Sequence, residues 1–138
     1  MKIRKLGNEG LNVSAIGFGA MSITGFFGPT DDKTSQKCLA SAYDNGIDFF
    51  DTADVYGSGS SEKLIGQFLK ETKAKIKIAT KSGIQTEPVR QFNNSIEYLS
   101  DSLDKSLQRL GVDYVDEKEV KAKILKHFTA LFESKIIN

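Results

Sequence analysis

The chain has 138 residues, 39% of them hydrophobic and 27% charged, a balance that excludes a disordered chain and supplies a core for one globular domain. Its 19 basic and 18 acidic residues leave a net charge of +1 with no basic run, so nothing in the charge pattern points to nucleic acid or to an anionic membrane. No apolar stretch is long enough to span a bilayer, and the single cysteine, Cys38, excludes an internal disulfide and fits a reducing, cytoplasmic setting.

The basic start, residues 1–5, is not followed by the apolar segment of a signal peptide. Residues 2–6 and 11–15 alternate over short stretches and flank Gly7-Asn8-Glu9-Gly10, which is turn chemistry, so the opening reads as a β-hairpin. Ile16-Gly17-Phe18-Gly19-Ala20-Met21 reads as a short strand with glycines where it ends, followed by the loop Gly25-Phe26-Phe27-Gly28-Pro29. A helix is expected to start near Thr30-Asp31-Asp32, where a capping hydroxyl and two acids occupy the first turn. Its buried stripe should be Cys38, Leu39, Ala42 and Tyr43, and Gly46 should end it.

Ile47-Asp48-Phe49-Phe50 is a second strand ending on Asp51. After a loop over 52–60, a second helix carries Leu64, Ile65, Phe68 and Leu69 on one face. Ile76-Lys77-Ile78-Ala79-Thr80 is the third strand and ends on Lys81. A polar loop containing Pro88 then leads to Asn94, with Glu97 three residues on, a capping-box pattern. The helix behind it places Ile96, Leu99, Leu103, Leu107 and Leu110 at helical spacing, with Gly111 set to cap its C-terminus. Residues 112–116 begin a fourth strand. Strand starts near residues 16, 48, 77 and 113 recur at roughly the 30 residues that a βαβ unit takes. A parallel sheet with right-handed crossovers is therefore expected. Spacing alone leaves a barrel and an open doubly wound sheet as alternatives.

Asp51-Thr52-Ala53-Asp54-Val55-Tyr56-Gly57 is the most informative segment. An apolar strand ends in an acid, a tyrosine follows five residues later, and Lys81 ends the next strand. Strand C-terminal ends of parallel βα folds share one face, where sites form, so the three side chains are expected to converge on one mouth. Taken singly, each has an ordinary explanation: the aspartate as a cap, the tyrosine as packing, the lysine as a solvated strand end. Together they suit carbonyl reduction. A phenol, with a reference pKa of about 10, is a weak proton donor at neutral pH, and a nearby ammonium favours its phenolate. A carboxylate beside the lysine holds it charged and oriented. Tyr56 could then protonate a carbonyl oxygen while a hydride attacks the carbon. Gly17-Phe18-Gly19-Ala20-Met21-Ser22 begins like a dinucleotide-binding G-x-G-x-x-G but lacks the third glycine and opens a loop instead of a helix.

Phe49-Phe50-Asp51-Thr52-Ala53-Asp54-Val55-Tyr56-Gly57 resembles the signature of the aldo-keto reductase family. Ser61-Glu62-Lys63-Leu64-Ile65-Gly66 resembles the segment that follows it there, and Ala79-Thr80-Lys81 resembles the strand ending on the family's lysine. Lys5-Leu6-Gly7, Val13-Ser14 and Gly17-Phe18-Gly19-Ala20-Met21 are similar to its bottom hairpin and first strand. Residues 107–116 resemble its run into strand four, and Gly25-Phe26-Phe27-Gly28-Pro29-Thr30-Asp31 resembles the branch whose first loop reads G-F-Y-G-P. The resemblance implies a (β/α)8 TIM barrel, NADP(H) as cofactor and a small-molecule carbonyl substrate. It implies that Asp51, Tyr56 and Lys81 are three of four catalytic residues. The backbone around Ala20 and Met21 would touch the nicotinamide end of the cofactor, together with Asp51.

The fourth family residue is a histidine in a strand reading D-L-Y-Y-L-H-R, whereas here Asp116 is followed by Glu117-Lys118-Glu119-Val120-Lys121, with Lys121 near the histidine's place. The only histidine, His127, lies beyond the resemblance. Residues 117–138 read as an amphipathic helix with Val120, Ile124, Phe128, Leu131, Phe132 and Ile136 on one face, packed on the chain's own surface. The break after Asp116 reads as a frameshift or deletion junction. A full barrel takes about 250 residues. The expectation is thus a partial barrel over residues 1–116, with an N-terminal hairpin, three βα units and the start of strand four, then a helical tail over 117–138. Low or absent activity is expected, with NADP(H) binding either kept or lost in the shortened chain, and with self-association through the open barrel edge. The alternatives are a non-enzymatic remnant or a binding module of the same family.

Overall fold

In chain order, the computed structural model, which describes residues 1–7 and 10–112, runs β1 (Ile3–Lys5), β2 (Asn12–Ser14), β3 (Phe18–Gly19), α1 (Asp32–Asp44), β4 (Phe49–Asp51), α2 (Ser60–Thr72), β5 (Lys77–Ala79), β6 (Ile84–Gln85), β7 (Gln91–Phe92) and α3 (Ile96–Leu110). Residues 113–116 of the expected fourth strand, the expected tail helix over 117–138, Lys121 and His127 lie outside the described residues.

β3, β4 and β5 pair in that order, all parallel, with Phe18 opposite Phe50, Gly19 opposite Asp51, and Asp51 opposite Ala79. Parallel neighbours need a crossover, and α1 and α2 supply the two crossovers. The central strand buries Phe50 on one face, while Phe49 and Asp51 on the other are half-buried. Phe50 is fully buried, with its ring 5.2 Å from that of Phe18 and 6.3 Å from that of Phe68 on α2. Ile23, Leu39, Leu64, Ile65, Ile78 and Leu110 close the core around it. β1 and β2 form the expected antiparallel hairpin. It docks beneath the sheet through Asp48, whose Oδ1 accepts from the Ser14 N–H at 2.7 Å and whose carboxylate also pairs with Lys77. Burial pulls the Asp48 pKa up, but the hydrogen bonds from Lys77 and Ser14 outweigh it and hold the carboxyl below its ordinary value.

Several local expectations are corrected. The N-cap of α1 is Asp31, which accepts from the Thr34 N–H at 2.7 Å. The face that α1 buries runs through Ser35 and Leu39, with Ala42 and Tyr43 half-buried, while Cys38 is exposed. Positions 35, 39, 42 and 43 share one helix face and Cys38, about 100° from its neighbour, falls off it. Ala20 and Met21 do not extend the first strand but start a 3-10 helix, Ala20–Thr24. The expected polar loop before α3 instead folds back as the antiparallel pair β6–β7. The cap of α3 is Ser95, not Asn94, and its Oγ accepts from the Tyr98 N–H at 3.3 Å.

The expected leucine stripe of α3 is also rotated. Ile96 is 74% exposed and Leu99, Leu103 and Leu107 are half-buried, while Ser102, Ser106 and Leu110 are buried. The C-terminal turn of α3 lies close against α2. A Cβ on Gly66 of α2 would stand 2.6 Å from the Arg109 carbonyl oxygen and 2.7 Å from that of Leu110. Among the described residues no helix is long and apolar enough to cross a membrane.

Candidate active site

The strand order sets the C-terminal ends of β4 and β5 side by side, and the pairing continues beyond the strands. The Thr52 N–H donates to the Ala79 carbonyl at 2.8 Å, and the Asp54 N–H donates to the Lys81 carbonyl at 3.1 Å. Asp51, the last residue of β4, thereby faces Lys81. The Lys81 Nζ donates to Asp51 Oδ1 at 2.7 Å and to the Thr52 carbonyl at 2.7 Å, and it lies 4.9 Å from the centroid of the Tyr56 ring. The three residues expected to converge do so. The lysine and aspartate side chains are 50% and 43% exposed, so this ion pair is open at the mouth. An ion pair that exposed stabilises a fold by about 1 kcal/mol at most.

Tyr56 stands at the head of a tight turn, Tyr56–Gly59, in which Gly57, Ser58 and Gly59 all take positive φ. A Cβ on Gly57 would lie 2.1 Å from Ser60 Oγ, and one on Gly59 would lie 2.8 Å from Cδ of Arg109. Glycine takes the positive φ at both positions without strain, and a side chain at either would have to displace Ser60 or Arg109. Beside this turn a small cleft of about 130 Å³ is lined by Ala53, Asp54, Val55, Tyr56, Lys81, Ser82 and Ile84, an apolar wall with a cation at its rim.

Of the two residues expected at the cofactor's nicotinamide end, Ala20 is 0% exposed and its carbonyl accepts from Ser61 Oγ at 3.1 Å. Since the Ser61 hydroxyl proton is used there, the 2.8 Å contact between Thr52 and Ser61 is donated by Thr52. Ala20 is thus a buried anchor for its turn, with the half-buried Met21 next to it. Among the described residues no cluster of His, Cys, Asp and Glu is gathered to hold a metal ion.

Sequence reasoning assigned no role to two groups behind this mouth. Glu62, in the first turn of α2, is 0% exposed, accepts from Arg109 Nε at 2.6 Å and from Thr80 Oγ1 at 2.6 Å. Asp54 carries a buried Oδ1 with no protein partner. Burial pushes its pKa above the ordinary carboxylate value and the charge of Glu62 adds to this, while the Arg109 guanidinium opposes it. Asp54 and Arg109 also line a second cleft of about 240 Å³ that runs between the Tyr56 turn, β6 and α3. The sequence signal for both groups is slight: acids at 54 and 62 stand on either side of the tyrosine in a run rich in Gly and Ser.

Fold and site together define a βα-repeat protein with a carboxylate, a phenol and an ammonium assembled at the ends of its parallel strands. A sequence model of the Aldo/keto reductase family matches residues 15–118, and the chain belongs to that family. It is 40% identical over 118 residues to an NADP(+) aldo-keto reductase of Schizosaccharomyces pombe, covering 82% of this chain and 34% of the relative. It is 41% identical over 119 residues to L-galactose dehydrogenase of Arabidopsis thaliana, covering 84% of this chain and 36% of that one. Among solved structures, an aldo-keto reductase from Bacillus halodurans in its holo form superposes with a TM-score of 0.73 at 34% identity, over 84% of this chain and 38% of the other. The chain spans about a third of the length of the curated relatives it matches. The structures it resembles are those of aldo-keto reductases, which are (β/α)8 barrels.

Proposed function

We propose that this chain carries the proton-transfer apparatus of an NADP(H)-dependent carbonyl reductase that acts on a small aldehyde or ketone. The observation that carries the reading is the Lys81 ammonium, hydrogen-bonded to Asp51 and seated against Tyr56 at the strand ends. In this reading Tyr56 donates its phenolic proton to the carbonyl oxygen as the alkoxide develops. Lys81 stabilises the phenolate left behind, and Asp51 keeps the ammonium oriented. NADPH, when bound, supplies the hydride. The chemistry of the mouth fits its nicotinamide end: an open carboxylate and ammonium lie at the strand ends, and the turn carrying Met21 is pinned in place through Ala20 and Ser61. Asp51, Met21 and, through its backbone support, Ala20 are the residues assigned to it.

The sheet β3–β4–β5 with α1, α2 and α3 is read as the first three βα units of a barrel. Residues 1–116 form the family part and 117–138 a tail outside it. The protein is read as cytoplasmic, working on a small molecule without membrane or nucleic acid, and associating with itself through the open sheet edge. The 138-residue chain on its own is expected to be slow, because Lys121 stands where the family has its histidine. Lost positioning can account for up to about 7–11 kcal/mol of a barrier.

The test is NADPH titration by fluorescence together with reduction of 4-nitrobenzaldehyde. The expected result is saturable NADPH binding and a low rate that falls to background in Tyr56→Phe with an unchanged circular dichroism spectrum. Turnover indifferent to Tyr56→Phe, or the absence of both binding and turnover, overturns the proposal.

A further inference from the structure

The buried carboxylate of Glu62 is connected to both arms of the candidate site, although it touches neither Lys81 nor Tyr56. One oxygen accepts from the hydroxyl of Thr80, the residue before Lys81. In extended backbone, successive side chains point to opposite sides. Pinning Thr80 toward α2 therefore sends Lys81 the other way, toward Asp51 and the mouth. The other oxygen accepts from Arg109 Nε, and the stem of Arg109 lies against the bare backbone of Gly59, which ends the turn that Tyr56 begins. Arg109 is held in turn by its Nη2 donating to Ser106 Oγ at 3.0 Å. Glu62 itself is fixed in the first turn of α2, where a negative charge suits the helix dipole. A single fully buried carboxylate thus links α2, the end of β5, the last turn of α3 and the turn carrying the phenol.

We propose that Glu62 is a positioning residue: through Thr80 it aims Lys81 at Asp51, and through Arg109 it sets the turn that presents Tyr56. The inference rests on the reductase reading for its purpose, but its test needs neither cofactor nor substrate. Trace acetylation of the intact folded chain, quantified by mass spectrometry, reads how firmly the Lys81 amine is held. Lys33 and Lys37, both exposed on α1, serve as internal references. In the starting protein Lys81 should label more slowly than either, because its Nζ is engaged by Asp51 and by the Thr52 carbonyl.

Thr80→Val keeps the shape and removes the hydroxyl. It should raise the relative labelling of Lys81 by about fivefold, the weight of one oriented hydrogen bond. Thr80→Ser should restore slow labelling, and Glu62→Leu, which leaves the Thr80 hydroxyl no partner at position 62, should behave as Thr80→Val does. If Glu62→Leu does not fold, the Val and Ser pair at position 80 decides the question. Unchanged Lys81 labelling in folded Thr80→Val, even with a lowered unfolding midpoint, overturns the proposal and leaves Glu62 a purely structural support. Labelling that responds as expected in a protein without carbonyl reduction would instead retire the reductase reading and keep the positioning.

Discussion

Replacing Gly66 by alanine tests the packing on which the helical layer depends. In an exposed helix interior that change would stabilise by about 0.5–1 kcal/mol, since glycine is the more flexible residue. Here the added methyl would stand 2.6 and 2.7 Å from the carbonyl oxygens of Arg109 and Leu110, and 2.8 Å from the Leu110 carbonyl carbon. These are backbone atoms, so no rotamer change relieves the overlap. The last turn of α3 has to move away from α2. Leu110, 1% exposed, then loses its seat in the core, and Arg109 is drawn from Glu62. Overpacking of this kind costs about 1–3 kcal/mol. Against the propensity gain, the expected net loss is about 1–2 kcal/mol. Urea unfolding followed at 222 nm measures it, with Gln67→Ala on the exposed face of the same helix as the control for propensity. A Gly66→Ala protein as stable as its parent, or more stable, would refute the close approach of α2 and α3.

Two further predictions concern pH and the lower hairpin. Asp54→Asn should be more stable than the parent at neutral pH. The folded pKa of Asp54 is raised, so its ionisation costs stability as pH climbs above the unfolded value of about 3.9. The difference should vanish near pH 3, where the group is protonated in both states, and a difference that persists there would contradict the assignment. Asp48→Asn should lose about 1.5–3 kcal/mol at neutral pH, the weight of hydrogen bonds to a charged group. Because the folded pKa of Asp48 is lowered, its contribution is present above the unfolded value and fades as pH falls through the folded one. Coincident unfolding curves for parent and variant at pH 7 would show that the charge on Asp48 contributes nothing.

The parallel order and the meeting of Asp51, Tyr56 and Lys81 were legible because they follow from rules that act at a distance. Apolar strands at regular spacing pair in parallel, and their C-terminal ends share one face. What escaped the sequence was decided by contacts with no local period. Ser102 and Ser106 count as polar in a helical pattern, yet they are buried, while the apolar Ile96 is exposed. Cys38 lost its place to Ser35, whose hydroxyl donates to the Ile23 carbonyl at 3.2 Å and so tolerates burial. Asn94 and Ser95 are both good caps, and the choice fell to tertiary placement. The β6–β7 strands are two residues each, too short for alternation to show. The Glu62–Arg109 pair spans 47 positions, and nothing near either residue announces the other.

The two ion pairs around the mouth divide its work unequally. Lys81 and Asp51 are exposed, so solvent screens them and they contribute little to folding, which leaves them free to rearrange around a ligand. Glu62 is sealed from water while Arg109 is half-buried, and removing the partner of a buried charge typically costs about 3–5 kcal/mol, because the charge is stranded. The buried pair is therefore fixed by folding itself. Because Glu62 also bonds Thr80 and Arg109 lies on Gly59, that fixity is passed to the backbone at residues 59 and 80. The exposed groups inherit their positions without having to stabilise the fold. A site built in this way keeps its geometry when its own charged residues are substituted and loses it when the residues behind it are, the opposite of what surface exposure alone would suggest.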